Sequence, residues 1–312
     1  MATVTLFSDQ DQLYNSIKMH PDADVFHCHN EPSWFVSAVK EVFPDKPVVL
    51  DVHDSFLLRR SEEEIAKAKN PEYYRESVDE RNNIQLADGL VYVCKPMKRI
   101  VEQEYKPDVP SLVLPSYIPE RFNRIDFDRW LGGLVYEGRI DIDDELGDKW
   151  DFFQYANYVP LANKAREIKM DFHIYTPRKN EKVREIYGSA AFLHTPVDLG
   201  KLTKRLGRHD WGLVGNLQPF EEWKHALPNK LFEYMGGCVP VVAMHADECA
   251  QFIQEHGVGI VVESLEELAE RWREHRECRK VVIKKRSMFA MEKHIQPLID
   301  MYAELTCKRP QK

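Results

Sequence analysis

Residues 226–244 read ALPNKLFEYMGGCVPVVAM. Pro228 and Asn229 open a helical turn, Gly236 and Gly237 close it, and the apolar run VPVVAM follows at once as a strand. Inside the turn Lys230 and Glu233 stand three positions apart, so they share one face of the helix. They are either an ordinary surface pair or two groups turned toward a ligand. A helix that ends in glycine and feeds a continuously apolar strand belongs to a parallel α/β sheet, where strand-to-helix loops carry the ligand site.

The surrounding chain repeats that pattern. Upstream of the helix come the strands GGLVYEG, DFHIYT, AAFLHT and DWGLVG, separated by helix-length segments that include 150–169 and DLGKLTKRLG. Downstream come DECAQFIQEHG as a helix, GIVVE as a strand, and LEELAERWREHRE as a further helix. The first part of the chain reads the same way: strands TVTLF, DVFHCH, PVVLDV, GLVYV and SLVLP alternate with amphipathic stretches such as PSWFVSAVKEVF and KPMKRIVEQEY. The strands are apolar almost throughout, as strands covered on both faces must be.

Between Leu114 and Trp130 the periodicity lapses into PSYIPERFNRIDFDRW, which reads as a linker. The expected organisation is two Rossmann-like doubly wound domains facing across a cleft. The first spans 1–118 and the second 119–284, followed by a terminal helix, 285–312, that packs back on the first domain.

With 312 residues, 43% hydrophobic and 30% charged, the chain can fill two cores and keep a water-facing exterior. No segment approaches the length of an apolar membrane span, and no signal peptide is read at the start. Six cysteines without a C-x-x-C pair suit a reducing compartment, so the expected location is the cytoplasm. A net charge of −8 argues against a nucleic-acid partner, and the basic run RKVVIKKR, Arg279–Arg286, reads as the solvated face of a helix.

Ligand-facing residues are those just after strands. In the first part these are His27, His29, Asn30 and Glu31, then Asp51, His53, Asp54 and Ser55, then Lys95; in the second they are Glu137, Gly138, Arg139, Arg178, Lys179, Lys230 and Glu233. Arg139, Lys230 and the first N–H groups of the helix at Asn229 suit a phosphate. Glu233, one turn inward, suits sugar hydroxyls, so the combination describes a nucleotide sugar. His27 and His29 alternate on one strand and face the same side, so a metal pair is conceivable, but a packing or hydrogen-bonding role at the strand end explains them without further ligands. His53 beside Asp51 and Asp54 reads equally as an acid/base cluster or as a satisfied strand-end histidine.

These residues carry a resemblance to the GT-B glycosyltransferases, in particular the retaining family 4 group. VYEGRI, LPNKLFEYMGGCVPVVAM and HGVGIVVESLEELAERW are similar to segments of that group's donor domain, and DVFHCHN, PVVLDVHDS, ADGLVYVCKPMKRIV and SLVLPSYIPERF match its first domain in order. The resemblance implies a donor diphosphate held by Arg139 and Lys230, contacts from Asn229 and Leu231 at the helix start, a ribose held by Glu233, and His53 beside the transferred sugar. It implies retention of configuration, no metal, no cofactor beyond the nucleotide-sugar co-substrate, and an acceptor that the sequence does not name. Two features depart from the pattern. His225 stands where the group's first glutamate falls, eight positions before Glu233, and only one strand and one helix precede His27. The shortened first domain and the missing first glutamate keep open a non-catalytic nucleotide-sugar-binding subunit, and among enzymes the alternative is a nucleotide-sugar epimerase, which needs acid/base carboxylates across the cleft.

Overall fold

The computed structural model describes residues 10–29, 34–59, 71–123, 129–140, 156–177 and 181–307. They form two compact units, one from residues 1–114 and 295–312, the other from 115–294.

The first unit runs α1 (Gln10–Lys18), β1 (Phe26–His29), α2 (Phe35–Val42), β2 (Val48–Val52), α3 (Phe56–Arg59), α4 (Pro71–Leu86), β3 (Gly89–Tyr92), α5 (Lys95–Tyr105) and β4 (Ser111–Val113). Its four strands pair in parallel in the order β1-β2-β3-β4. Every residue of β2 and β3 is buried, which is why both are apolar almost without alternation. The N-terminal strand expected at TVTLF lies outside the described residues.

Helix α13 (Gln296–Cys307) belongs to this unit. Gly89 makes room for it, since a Cβ there would stand 2.9 Å from Met301 Sδ and 3.3 Å from Leu305 Cδ1.

The second unit runs β5 (Leu134–Glu137), α6 (Val159–Glu167), β6 (Phe172–Tyr175), α7 (Glu181–Tyr187), β7 (Phe192–His194), α8 (Leu199–Leu206), β8 (Trp211–Gly215), α9 (Asn229–Gly236), β9 (Val241–Met244), α10 (Asp247–His256), β10 (Gly259–Val261), α11 (Leu265–Glu270) and α12 (His275–Lys285). All six strands are parallel, in the order β10-β9-β8-β5-β6-β7. The chain starts in the middle at β5, builds outward to β7, and returns to the other side of β5 as β8. The order therefore reverses between β5 and β8, the switch point at which doubly wound sheets open a crevice for a ligand. One face of this sheet packs Leu134, Phe172, Ile174, Trp211, Leu213 and Val242 into a common core.

The C-terminal helices differ from the expected pattern. The stretch read as one helix, 265–277, breaks at Trp272, whose carbonyl accepts from Trp211 Nε1 at 3.1 Å and lies 2.8 Å from His275 Nδ1. A carbonyl taken up by side chains is not free for the helical ladder, so the chain passes through a 3₁₀ turn. The segment read as one amphipathic stretch, 285–305, is two 3₁₀ turns and then α13. Pro297 would lose a ladder bond inside a continuous helix and is accommodated in the first turn of α13.

The basic run is likewise only partly solvated. Lys280 is exposed, but Arg279 is buried over the Trp130 ring, Lys285 donates to the His256 carbonyl and Arg286 to that of Gly236.

Candidate functional site

The switch point is built by three chain segments of the second unit. At the end of β5 come Glu137, Gly138 and Arg139. Gly138 has φ +132°, a conformation that disfavours any side chain, and a Cβ there would stand 3.1 Å from Tyr136 Oη and 3.7 Å from Lys230 Cε. Tyr136 Oη donates to the Arg139 carbonyl at 2.9 Å and so holds the turn, which leaves Arg139 exposed.

At the end of β8, Gly215 has φ +94°, and a Cβ there would meet the Met244 carbonyl oxygen at 1.8 Å. Asn216 follows, buried, with its Nδ2 donating to the Asn157 carbonyl at 2.9 Å and its Oδ1 accepting from Leu217 N–H at 2.8 Å.

The third segment is α9. Pro228 precedes it in an extended conformation and, as the N-cap residue, gives its first turn no side-chain hydrogen bond. Its leading N–H groups carry the partial positive charge of a helix start. Lys230, half-buried, lies with Nζ 5.4 Å from the centre of the Tyr136 ring, a cation–π distance that places the ammonium over the end of β5. A pocket lined by Tyr158, Gly215, Trp223, Pro228, Lys230 and Cys249 adjoins it.

Tyr234, fully buried, ties α9 to both strands. Its hydroxyl donates to the Leu213 carbonyl at 3.1 Å and accepts from Glu137 N–H at 3.1 Å. Gly212 is the position beneath the ring, where a Cβ would come within 2.4 Å of Tyr234 Cγ.

Glu233, one turn inside α9, is held in its protonated form. Burial is the main cause, the charge and hydrogen bond of Glu137 add to it, Lys230 opposes it, and the result is about 9 against an ordinary 4.5. The Glu233 carboxyl thus lies against Glu137 and beside the Lys230 ammonium. The carboxylic acid can both donate to and accept from a ligand hydroxyl.

Of the residues proposed from the sequence, Gly138, Lys230 and Glu233 meet at this point, with the backbone of Arg139 and the exposed Asn229 at its rim. Leu231 turns inward: its side chain is fully buried and its N–H bonds the Pro228 carbonyl at 3.1 Å. His225 Nε2 stands 3.7 Å from Glu221 Oε1. Arg178, Lys179, Asn30, Glu31 and the acidic run after Arg139 lie outside the described residues. Glu137 was visible as a strand-end residue, but its partnership with Glu233 has no sequence signal.

The first unit has its own polar cluster at the ends of β1 and β2. Asp51, 7% exposed, places Oδ2 2.9 Å from His29 Nδ1, 2.9 Å from His53 Nε2 and 3.8 Å from His27 Nε2. Burial pushes the Asp51 carboxyl up, but the hydrogen bonds from His29 and His53, with the charges of His53 and His27, outweigh it and bring it to about 2. Burial opposes protonation of His53 too, yet the Asp51 hydrogen bond and the charges of Asp51 and Asp54 leave it raised. Nearby, Glu80 anchors the start of α3, accepting from Ser55 Oγ and from Phe56 N–H, both at 2.6 Å. Lys95 opens α5 and is exposed.

Comparison with known proteins follows this geometry. Residues 154–293 match the family described as glucosyltransferase 3-like, C-terminal domain. No curated protein matches the sequence. Among solved structures, a sucrose-phosphate synthase from Thermosynechococcus elongatus superposes with TM-score 0.65 at 11% identity, over 97% of this chain and 81% of that one. The Anabaena protein HepE in complex with UDP gives 0.61 at 10%, over 94% and 82%. An E. coli structure titled trehalose-6-phosphate, bound with UDP-2-fluoro glucose, gives 0.60 at 11%, over 96% and 78%.

Proposed function

From the GT-B fold that the chain shares with these structures, and from its glucosyltransferase 3-like segment, we propose that it is a glycosyltransferase using a nucleotide-sugar donor. The donor site is the β5/β8 switch point. The observation that carries this reading is the junction of a proline-preceded helix start, Lys230 and the glycine turn before Arg139 at that one point.

In this reading Arg139 and Lys230 hold the diphosphate, with the N–H groups at Asn229 and Lys230 beside it and Glu233 on the ribose; the Leu231 N–H, bonded to the Pro228 carbonyl, is not a donor to it. The two cations supply the charge that a metal supplies elsewhere, so transfer needs no divalent ion. The bond between C1 and the diphosphate oxygen breaks and its electron pair leaves with the diphosphate. The acceptor oxygen joins C1 from the same face, with retention, while the departing diphosphate helps take its proton. The family resemblance assigns His53 of the first unit to the transferred sugar. The six free cysteines, four of them buried, favour a reducing cytoplasm. Uridine diphosphate sugars are the first donors to test, because HepE binds UDP.

A thermal-shift screen of nucleoside diphosphates and their sugars tests the reading, since a ligand of the native state raises the melting temperature. A rise with one nucleotide class that disappears in Lys230→Ala is the expected result. No rise with any donor in the folded protein overturns it.

A further inference from the structure

The Asp51 cluster of the first unit has the makings of a cation site that sugar transfer does not require. His29 and Asp51 are paired residues of the parallel strands β1 and β2, and His27 lies two residues back on the same face of β1. The two imidazoles stack with centroids 4.4 Å apart. One ligand atom from each of His27, His29 and Asp51 lies within 4.8 Å of the others. Ligands at about 2.0–2.1 Å around a tetrahedral ion are themselves about 3.3 Å apart. The separations of 2.9 and 3.8 Å from Asp51 Oδ2 to His29 Nδ1 and His27 Nε2 bracket that value.

Two buried atoms make the cluster incomplete as it stands. His27 Nε2 and Asp51 Oδ1 have no hydrogen-bond partner among the described residues, and Asp51 is more than nine-tenths buried. Such atoms ordinarily find one. The supporting groups are in place, because His27 Nδ1 is bonded to the Tyr302 hydroxyl from α13 and Asp51 is bonded to His53. Outer partners of this kind fix the tautomer and aim of a metal ligand.

The local charge is favourable as well. Among the charges that act on Asp51 and His53 are each other's, that of His27 and that of Asp54. A second imidazole cluster, His173, His194 and His209 in the other unit, brings no carboxylate, and Arg205 acts on its His194 and Arg279 on its His209.

We propose that His27 Nε2, His29 Nδ1 and Asp51 bind a divalent first-row transition ion of the zinc class. Two imidazoles and one carboxylate select such an ion over magnesium or calcium, which take oxygen ligands. Water completes the coordination on the side where the His29 side chain is 68% exposed.

The test is titration of the full chain, stripped with EDTA and dialysed, with zinc sulfate by calorimetry and metal analysis. One equivalent should bind, with affinity about a hundredfold weaker or more in His29→Ala and in Asp51→Asn, and about 10–100-fold weaker in Tyr302→Phe. His194→Gln should bind as the parent does. Cobalt(II) gives a second readout, a visible d–d spectrum that His29→Ala abolishes. Absence of stoichiometric zinc binding, binding unchanged in His29→Ala, or binding lost in His194→Gln would each overturn the site. None of these measurements depends on sugar transfer.

Discussion

Replacing Glu233 with glutamine should stabilise the unliganded protein while weakening its hold on a donor. The carboxyl titrates near 9 in the folded chain and near 4.5 when free. A folded value raised in this way contributes stability that is complete below 4.5 and is lost as the pH climbs through 9, because the unfolded chain gives up the proton first. Each pH unit in that window costs about 1.4 kcal/mol, so at pH 7 the parent carries a penalty of up to about 3 kcal/mol. Glu233 is only partly buried, and solvent screening brings the expected difference to about 2 kcal/mol. Glutamine keeps a donor for Glu137 and has no proton to lose.

For a unit the size of residues 115–294, the difference corresponds to a rise in melting temperature of about 4–8 °C. The assay is scanning calorimetry of parent and Glu233→Gln at pH 5 and pH 7.5. The variant's advantage should grow with pH. An equal offset at the two pH values would refute the raised Glu233 carboxyl.

Lys230→Ala should weaken nucleoside diphosphate binding by about 10–100-fold, the worth of a charge-assisted hydrogen bond, with the melting temperature little changed. Calorimetric titration measures it, and unaltered affinity removes Lys230 from the site. Tyr234→Phe removes two buried hydrogen bonds and should cost about 1–3 kcal/mol; a melting curve identical to the parent's would show that α9 does not depend on that tie. Sugar transfer should survive EDTA, and a loss of turnover restored by Mn²⁺ would contradict diphosphate binding by Arg139 and Lys230 alone. The EDTA-treated protein should melt lower than the zinc-loaded protein, which calorimetry of both forms checks.

Much of the fold was legible along the chain. The apolar runs at Val48–Val52, Gly89–Tyr92, Trp211–Gly215 and Val241–Met244 are strands where the pattern placed them, and Asn229–Gly236 is a helix. Each signal is local, because strand and helix periods and glycine or proline punctuation act over a few residues. The broken helix at Trp272 was not legible, because its cause is the indole of Trp211, sixty-one positions away.

By itself, the amino-acid order determined the elements, their alternation and the glycine turns that bring backbone close to a ligand. Tertiary structure decided which chemistry those elements can do. The reversal of strand order between β5 and β8 selects one loop cluster out of many. The Glu233 carboxyl is raised only because the fold buries it against Glu137, which β5 brings to α9. Asp51 meets the imidazoles of His27 and His29 only because β1 lies in register beside β2. Ionisation depends on burial and on neighbours through space, and neither is a property of spacing along the chain.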